Sequence, residues 1–143
     1  MNAVTFFTHP VNALLLLTAL ASGLLLAWPT LRRGGARGLS TLEATQLMNR
    51  KNAQVLDLRA AARFAEGHIL NARNVSAKAV QDGSADLPKN KSVPLLLVCD
   101  AGQRSAACVR ALKEQGYEAA HALAGGHAAW VAAGLPVSKS AGQ

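Results

Sequence analysis

The sequence predicts an α/β domain with a mainly parallel sheet, preceded by one N-terminal transmembrane helix. Three observations carry this expectation. Short apolar runs alternate with segments of helical spacing along residues 39–143. The strongest run, Ser92 to Val98, is the continuous apolar stretch of a strand buried on both faces of a parallel sheet. Residues 1–31 hold no charged side chain, which separates them from everything that follows.

Length and composition agree. A chain of 143 residues, half of them apolar, has material for one core and a short appendage. Abundant Ala and few aromatics suit helices packed closely on a sheet better than a β-sandwich. The net charge of +7 is unevenly placed: Arg32, Arg33 and Arg37 cluster together, and without them the surplus is about +4. No basic helix stripe or aromatic platform accompanies it, so nucleic acid is not expected as a partner. Two cysteines, Cys99 and Cys108, are too few and too close for a disulfide framework.

The first element is Val11 to Trp28, an uncharged run rich in Leu and Ala. As a helix rising about 1.5 Å per residue, it spans about 27 Å, near the thickness of a bilayer's hydrocarbon core. Phe6 and Phe7 extend it on one side, and Trp28 stands where an interfacial indole is favoured. A cleavable signal peptide is the competing reading, with Ala19-Leu20-Ala21 as a possible cleavage site. The missing basic residues before the run, and its continuation through Gly23-Leu24-Leu25-Leu26, favour an uncleaved anchor over residues 1–31. Arginines on the C-terminal flank alone place the N-terminus outside and the domain on the cytoplasmic face of the inner membrane, as a single-pass protein. Residues 32–38, with three glycines, read as a short linker.

The globular part, residues 39–143, opens with a capping box, Ser40-Thr41-Leu42-Glu43, which starts a helix to about Arg50. Gln54 to Leu58 is a buried strand, and Ala60 to Ala65 is a helical turn or two closed by Gly67. Arg73-Asn74-Val75 is a further short strand, followed by a short helix and loop over 77–92. After the central strand comes a helix from Ser105 to Gln115, stopped by Gly116. Ala119 to Leu123 is the last strand, Gly125-Gly126 a turn expected to border the loop at Cys99, and His127 to Ala133 the last helix.

The chemistry centres on Cys99-Asp100-Ala101-Gly102-Gln103-Arg104-Ser105. The central strand ends, a six-residue loop opens with Cys99, and a helix follows. Ligands of open α/β sheets bind at such carboxyl ends. A loop wound over a helix start turns backbone N–H groups inward as an anion nest. A thiol at its mouth meets a positive field that favours the thiolate. Arg104 adds a permanent charge, Gly102 lets the backbone bend, and Ser105 either caps the helix or donates into the loop. Cys108, among Ala106, Ala107 and Val109, reads as a packed apolar residue. Asp57 and Arg59 read as structural, pairing with loops near the sheet edge. His68 is expected to bond locally. His121 and His127 are read as surface or satisfied residues, and Trp130 as a core anchor. No His or Cys pair has metal-ligand spacing, so no metal and no cofactor are expected.

These residues resemble the rhodanese-like family. Cys99-x-x-Gly102-x-Arg104-Ser105 looks like its active-site loop. Asp57-Leu58-Arg59 resembles the Asp-x-Arg ending an early strand. Phe64 to Ile69 resembles its Gly-His-Ile segment, and Ala72-Arg73-Asn74-Val75 the strand after it. Leu123-Ala124-Gly125-Gly126-His127-Ala128-Ala129-Trp130 resembles its C-terminal Leu-x-Gly-Gly-x-x-x-Trp motif. The likeness covers about residues 39–138 in the family's order. It implies a five-stranded parallel sheet flanked by helices. It also implies that Cys99 takes a sulfane sulfur from a donor, thiosulfate or a persulfide, and passes it to a thiol or protein acceptor. Residues 100–105 would hold the sulfur group, with Asp57, Arg59, His68, Gly125 and Gly126 in structural support. Asp100 departs from the basic residues many thiosulfate-preferring rhodaneses carry. Its carboxylate opposes both thiolate formation and a dianionic donor, which puts persulfide donors on an equal footing with thiosulfate. Two other functions share these features. Cysteine phosphatases and arsenate reductases use a similar thiolate nest, but with five residues between Cys and Arg rather than the four seen here. A tethered, non-catalytic docking module uses the fold alone.

Overall fold

The computed structural model describes residues 9–33 and 38–139. The chain divides into two units, Met1–Ala36 and Arg37–Gln143. The first contains helix α1 (Pro10–Arg33). Within it, Pro10–Trp28 is long and apolar enough to cross a membrane. Leu14, Leu17, Leu20, Leu25 and Leu26 are all exposed. The helix continues through Arg33, so it takes in the first two residues assigned to the linker; residues 34–37, with Phe6 and Phe7, lie outside the described residues.

The second unit carries α2 (Thr41–Lys51), β1 (Gln54–Asp57), α3 (Ala61–Glu66), β2 (His68–Ile69), β3 (Arg73–Asn74) and α4 (Ala77–Asp82). Then follow β4 (Leu95–Val98), α5 (Gln103–Glu114), β5 (Ala120–Ala122), α6 (Gly126–Ala132) and β6 (Val137–Ser138). The main sheet is parallel throughout, in the order β3-β1-β4-β5. The expected fifth strand is reduced to a parallel bridge between Leu39 and Leu123, where Leu39 exchanges hydrogen bonds with Ala122 and Ala124. All four residues of β4 are buried, as befits a central parallel strand. Helices cover both faces. One core layer joins Leu56, Leu95, Leu97, Val80, Cys108 and Leu112. The other joins Val55, Leu96, Val98, Ile69, Leu123 and Trp130. This is the α/β architecture expected, with β4 delivering its carboxyl end, and hence Cys99, to one rim of the sheet.

The Ser40–Glu43 capping box forms as read, with Ser40 Oγ accepting from the Glu43 N–H and the Glu43 carboxylate accepting from the Ser40 N–H. Two features were not read from the sequence. His68–Ile69 pairs antiparallel with Val137–Ser138, a second small sheet that ties the segment after α6 to the one after α3. And β1 is an interior strand, between β3 and β4.

Candidate active site

The Cys99 loop joins β4 to α5. Helix α5 begins at Gln103, two residues earlier than the sequence suggests, with Gly102 as its N-cap at φ +92°. Ser105 is therefore inside the first turn rather than at the cap. It is fully buried, and its Oγ lacks a hydrogen-bond partner of good geometry. The hydroxyl is nonetheless near enough to the thiol to favour its ionised form.

Cys99 is 97% shielded from solvent (3% exposed). The Gly102 N–H donates to Cys99 Sγ at 2.9 Å. Burial pushes the thiol up, but the Ser105 hydroxyl and the Ser105, Gly102 and Arg104 N–H groups outweigh it and hold the pKa below the ordinary cysteine value. Over the sulfur lies a cavity of about 180 Å³ lined by Cys99, Asp100, Ala101, Gln103 and Arg104. The loop residues read from the sequence thus gather round one sulfur atom, with Ser105 and the Gly102 N–H at its base.

The Gly125-Gly126 turn braces this loop. The His127 N–H donates to the Cys99 carbonyl at 2.8 Å and the Ala128 N–H to the Asp100 carbonyl at 3.3 Å. At Gly126, φ is +62° and a Cβ would overlap the Cys99 carbonyl oxygen, so only glycine allows the approach. A Cβ on Gly102 would come within 3.2 Å of the Gly125 nitrogen. The two glycine-bearing turns lock together backbone to backbone.

Asp57 and Arg59 form a buried pair, expected as structural but made differently from the expectation. Arg59 Nη2 and Nε donate to the Asp57 carboxylate at 2.7 and 3.0 Å, and Nη2 also reaches the Gly67 carbonyl at 2.7 Å. With Asn74 donating to the Asp57 and Arg59 carbonyls, this pair ties β1, α3 and β3 together. His68 bonds locally, Nδ1 to the Phe64 carbonyl at 2.8 Å, and stacks on the Phe64 ring. Trp130 is a core residue whose indole N–H donates to the Pro136 carbonyl.

Three residues acquire a place the sequence did not signal. Arg63 approaches Asp100 at 3.8 Å, with both side chains more than half exposed, so the acidic loop position has a weak counter-charge. His127 is neither a surface nor a satisfied residue: its Nε2 is enclosed and has no hydrogen-bond partner. An enclosed polar atom left unpaired costs about 1–3 kcal/mol. Burial pushes this imidazole down, Arg59 pushes it further, and Asp57 and Asp100 only partly compensate, so it is held neutral below the usual histidine range. Both residues line a second cavity of about 450 Å³, beside the first, whose walls are Arg59, Arg63, Glu66, Gly67, Asp100, His127, Ala128, Val131 and Val137. Val137 comes from the unforeseen β6. The one sequence clue to His127 was its place directly after the Gly-Gly turn.

Known proteins resemble this chain in sequence and fold. The rhodanese-like domain family model matches residues 40–133. Thiosulfate sulfurtransferase GlpE of Coxiella burnetii is 33% identical over 94 residues, covering 66% of this chain and 86% of that protein. Uncharacterized protein YibN of Escherichia coli is 27% identical over 130 residues, 90% of either chain, a span that must reach into α1. A rhodanese-related protein of Thermoplasma volcanium superposes with a TM-score of 0.60 at 27% identity, over 71% of this chain and 97% of that one. With β4 ending at a thiol in a backbone cradle and the four strands β3, β1, β4 and β5 inside the matched span, the chain belongs to the rhodanese-like domain family.

Proposed function

We propose that this protein is a sulfurtransferase that carries a sulfane sulfur as a persulfide on Cys99. The observation that carries the reading is the thiol itself: buried, yet held below the ordinary cysteine pKa by the Gly102 N–H at 2.9 Å and its neighbours. A thiolate attacks the outer sulfur of thiosulfate or of a persulfide, and the donor's remaining fragment departs. The charge then left on the terminal sulfur faces the N–H groups of the loop. The four residues between Cys99 and Arg104, one fewer than in the phosphatase loops, suit one sulfur atom better than a phosphate with its four oxygens. A thiol, small or protein-borne, then accepts the sulfur. Relatives named as thiosulfate sulfurtransferases support the reaction class.

We further propose that α1 is an uncleaved anchor and that the domain works at the cytoplasmic face of the inner membrane. The apolar span of Pro10–Trp28 supports the anchor, and the arginines after it support the orientation. Mass spectrometry of the purified protein after thiosulfate or persulfide treatment tests the chemistry. One added sulfur atom on Cys99 is expected; an unmodified Cys99 with every donor leaves a docking module instead. Reporter fusions at Gln143 test the topology, and activity from an extracytoplasmic reporter would overturn it.

A further inference from the structure

We propose that the outer face of α2, with the groove beside it, rests on an anionic phospholipid surface and so leaves the Cys99 rim open to water. The inference rests on the reading of α1 as an uncleaved anchor and goes beyond it, since a tether alone does not say which face of the domain meets the bilayer. The reach of the chain supplies the first argument. Leu39 comes six residues after Arg33, the last residue of α1, a span of at most about 20 Å when fully extended. Leu39 is itself fixed to the sheet: its N–H donates to the Ala122 carbonyl at 2.7 Å, and its carbonyl accepts from the Ala124 N–H at 2.8 Å. The surface around Leu39 is therefore within that reach of the anchor's end.

This surface has the chemistry of an interfacial one. A groove of about 310 Å³ lies there, lined by the apolar Leu39 and Leu47 and by Arg50, Lys51 and His121 among others. Leu42, Gln46 and Arg50, spaced four apart, form one exposed row along α2. Leu42, at 67%, is the most exposed large apolar side chain among the described residues of the domain. Glu43 also lines the groove, but its carboxylate is engaged by the Ser40 N–H and hydroxyl, each at 2.8 Å. Burial pushes the His121 imidazole down, and Lys113 and Lys51 push it further, so two lysine charges converge on the groove. An exposed leucine beside Arg and Lys suits the boundary of headgroups and acyl chains. The leucine and the long alkyl stems meet apolar lipid, and the cationic heads reach phosphates. Anionic lipids of a cytoplasmic leaflet supply the complementary charge.

The fold sets the consequence for the site. α2 starts beside the carboxyl end of β5, where Leu39 bridges Leu123, and ends at Lys51, shortly before the amino end of β1 at Gln54. It thus runs along the side of the parallel sheet, from the rim that bears Cys99 to the opposite one. A bilayer lying along α2 meets the side of the domain and does not cover the Cys99 rim.

The test uses the full-length protein in nanodiscs that carry a trace of headgroup-spin-labelled lipid. In phosphatidylcholine with about a quarter phosphatidylglycerol, NMR amide signals of α2 and His121 should broaden about threefold more than those of β3, the opposite edge of the sheet. In pure phosphatidylcholine, or in about 0.5 M salt, that contrast should fall by about half or more. Arg50→Glu combined with Lys51→Glu should abolish it, with unchanged β1 and β4 amide shifts certifying the fold. Equal broadening on all faces, or a contrast that survives charge reversal, would overturn the lipid surface. Broadening of α2 without spin-labelled lipid, growing with the number of copies per disc, would assign the groove to a second copy and overturn it too. Alkylation of Cys99 by iodoacetamide should match within about twofold between the two lipids; a tenfold slowing in anionic discs would show a covered rim and overturn the orientation. Should the mature chain prove to lack α1, the anchor reading falls, and the face is judged separately. Cosedimentation of that chain with vesicles of the same anionic composition, lost on charge reversal, supports the lipid surface, and its absence rejects it.

Discussion

Cys99 and Cys108 sit on one loop and the helix that follows it, and burial pushes both thiols up. Their exposures, 3% and 0%, are nearly equal. Their ionisation is opposite: Cys99 lies below the ordinary thiol pKa and Cys108 above it. Backbone geometry makes the difference. At Cys99 the chain turns into a helix, and the N–H groups of Gly102, Arg104 and Ser105 favour the charged sulfur. Cys108 is inside α5, where N–H groups bond to carbonyls of the preceding turn. Its neighbours are the Gln81 amide at 3.9 Å and the Ala77 carbonyl at 3.7 Å. An ionised Cys99 raises it further. Burial alone therefore raises a thiol's pKa, and the same burial at a helix start is outweighed by the backbone N–H groups that lower it.

The severest way to break the comparison is to exchange the sulfurs for oxygen. Cys99→Ser should lower sulfur uptake by about a thousandfold or more, since a hydroxyl at neutral pH is a far weaker nucleophile than a thiolate. Cys108→Ser should keep uptake within about threefold and lose stability instead, by about 1–3 kcal/mol, because a hydroxyl replaces a sulfur in the core. Persulfide mass and thermal melting read the two outcomes. A dead Cys108→Ser with an active Cys99→Ser would invert the assignment.

The next effect comes from the brace. Gly126→Ala places a methyl against the Cys99 carbonyl at a backbone with φ +62°. We expect a loss of about 2–4 kcal/mol and slower alkylation of Cys99 at neutral pH, as the loop is pushed from its donors. Gly134→Ala is the control, for its φ is +69° but nothing lies within 4 Å of the added Cβ. It should cost only about 1 kcal/mol and leave alkylation unchanged. Equal effects at the two glycines would show that the brace does not position the loop.

A milder change sharpens the comparison at one atom. Ser105→Ala removes the hydroxyl that favours the thiolate while leaving the N–H groups in place. The Cys99 pKa should rise, so the thiolate fraction at a given pH falls and recovers only at higher pH. Alkylation at pH 7 should slow about three- to tenfold, the scale of one hydrogen bond, and Cys108 should not change. Rate–pH profiles of both thiols check this; an unmoved Cys99 profile would leave the backbone as the whole cause.

Why these cysteines differ was legible in the sequence, because strand, loop and helix start are local patterns. The apolar run ending at Val98 and the helical spacing after Ser105 placed Cys99 at a sheet rim. Cys108 fell among small residues on the helix. The parallel sheet followed from the alternation of elements. What could not be read was set by contacts between distant segments. The β2–β6 pair joins residues 68–69 to 137–138, and two-residue strands carry no periodicity. That Asp57 and Arg59 pair with each other at the end of an interior strand was not read, because strand order is not written in any one strand. His127 looked unremarkable because its environment is assembled from β1, β2 and the Cys99 loop. The Gly-Gly turn was recognised, but that its backbone bonds to Cys99 and Asp100 is a fact of packing.

The smallest effect concerns Asp100, the loop's departure from a basic pattern. Taken alone, a carboxylate about 6 Å from the sulfur at an effective dielectric near 20 opposes each negative charge by about 2–3 kcal/mol. The structure reduces that expectation twice. The Asp100 side chain is 53% exposed, and Arg63 stands 3.8 Å away with 62% exposure. Exposed pairs of this kind are worth about 0–1 kcal/mol, but the counter-charge also cancels much of the field reaching the thiol. Asp100→Asn should therefore raise kcat/KM for thiosulfate only about two- to fivefold at low salt, and less for an uncharged persulfide. Arg63→Gln should lower the thiosulfate value by a similar factor, and the double variant should fall near the wild type. Added salt should shrink all three changes. A double-mutant cycle of kcat/KM across ionic strengths makes the measurement. If Asp100→Asn gave more than tenfold while Arg63→Gln did nothing, Arg63 would not screen Asp100, and the loop carboxylate would act on donors at full strength. If both single variants left the two donors unchanged, Asp100 would face solvent, and donor choice would rest with the cradle of N–H groups that already separates Cys99 from Cys108.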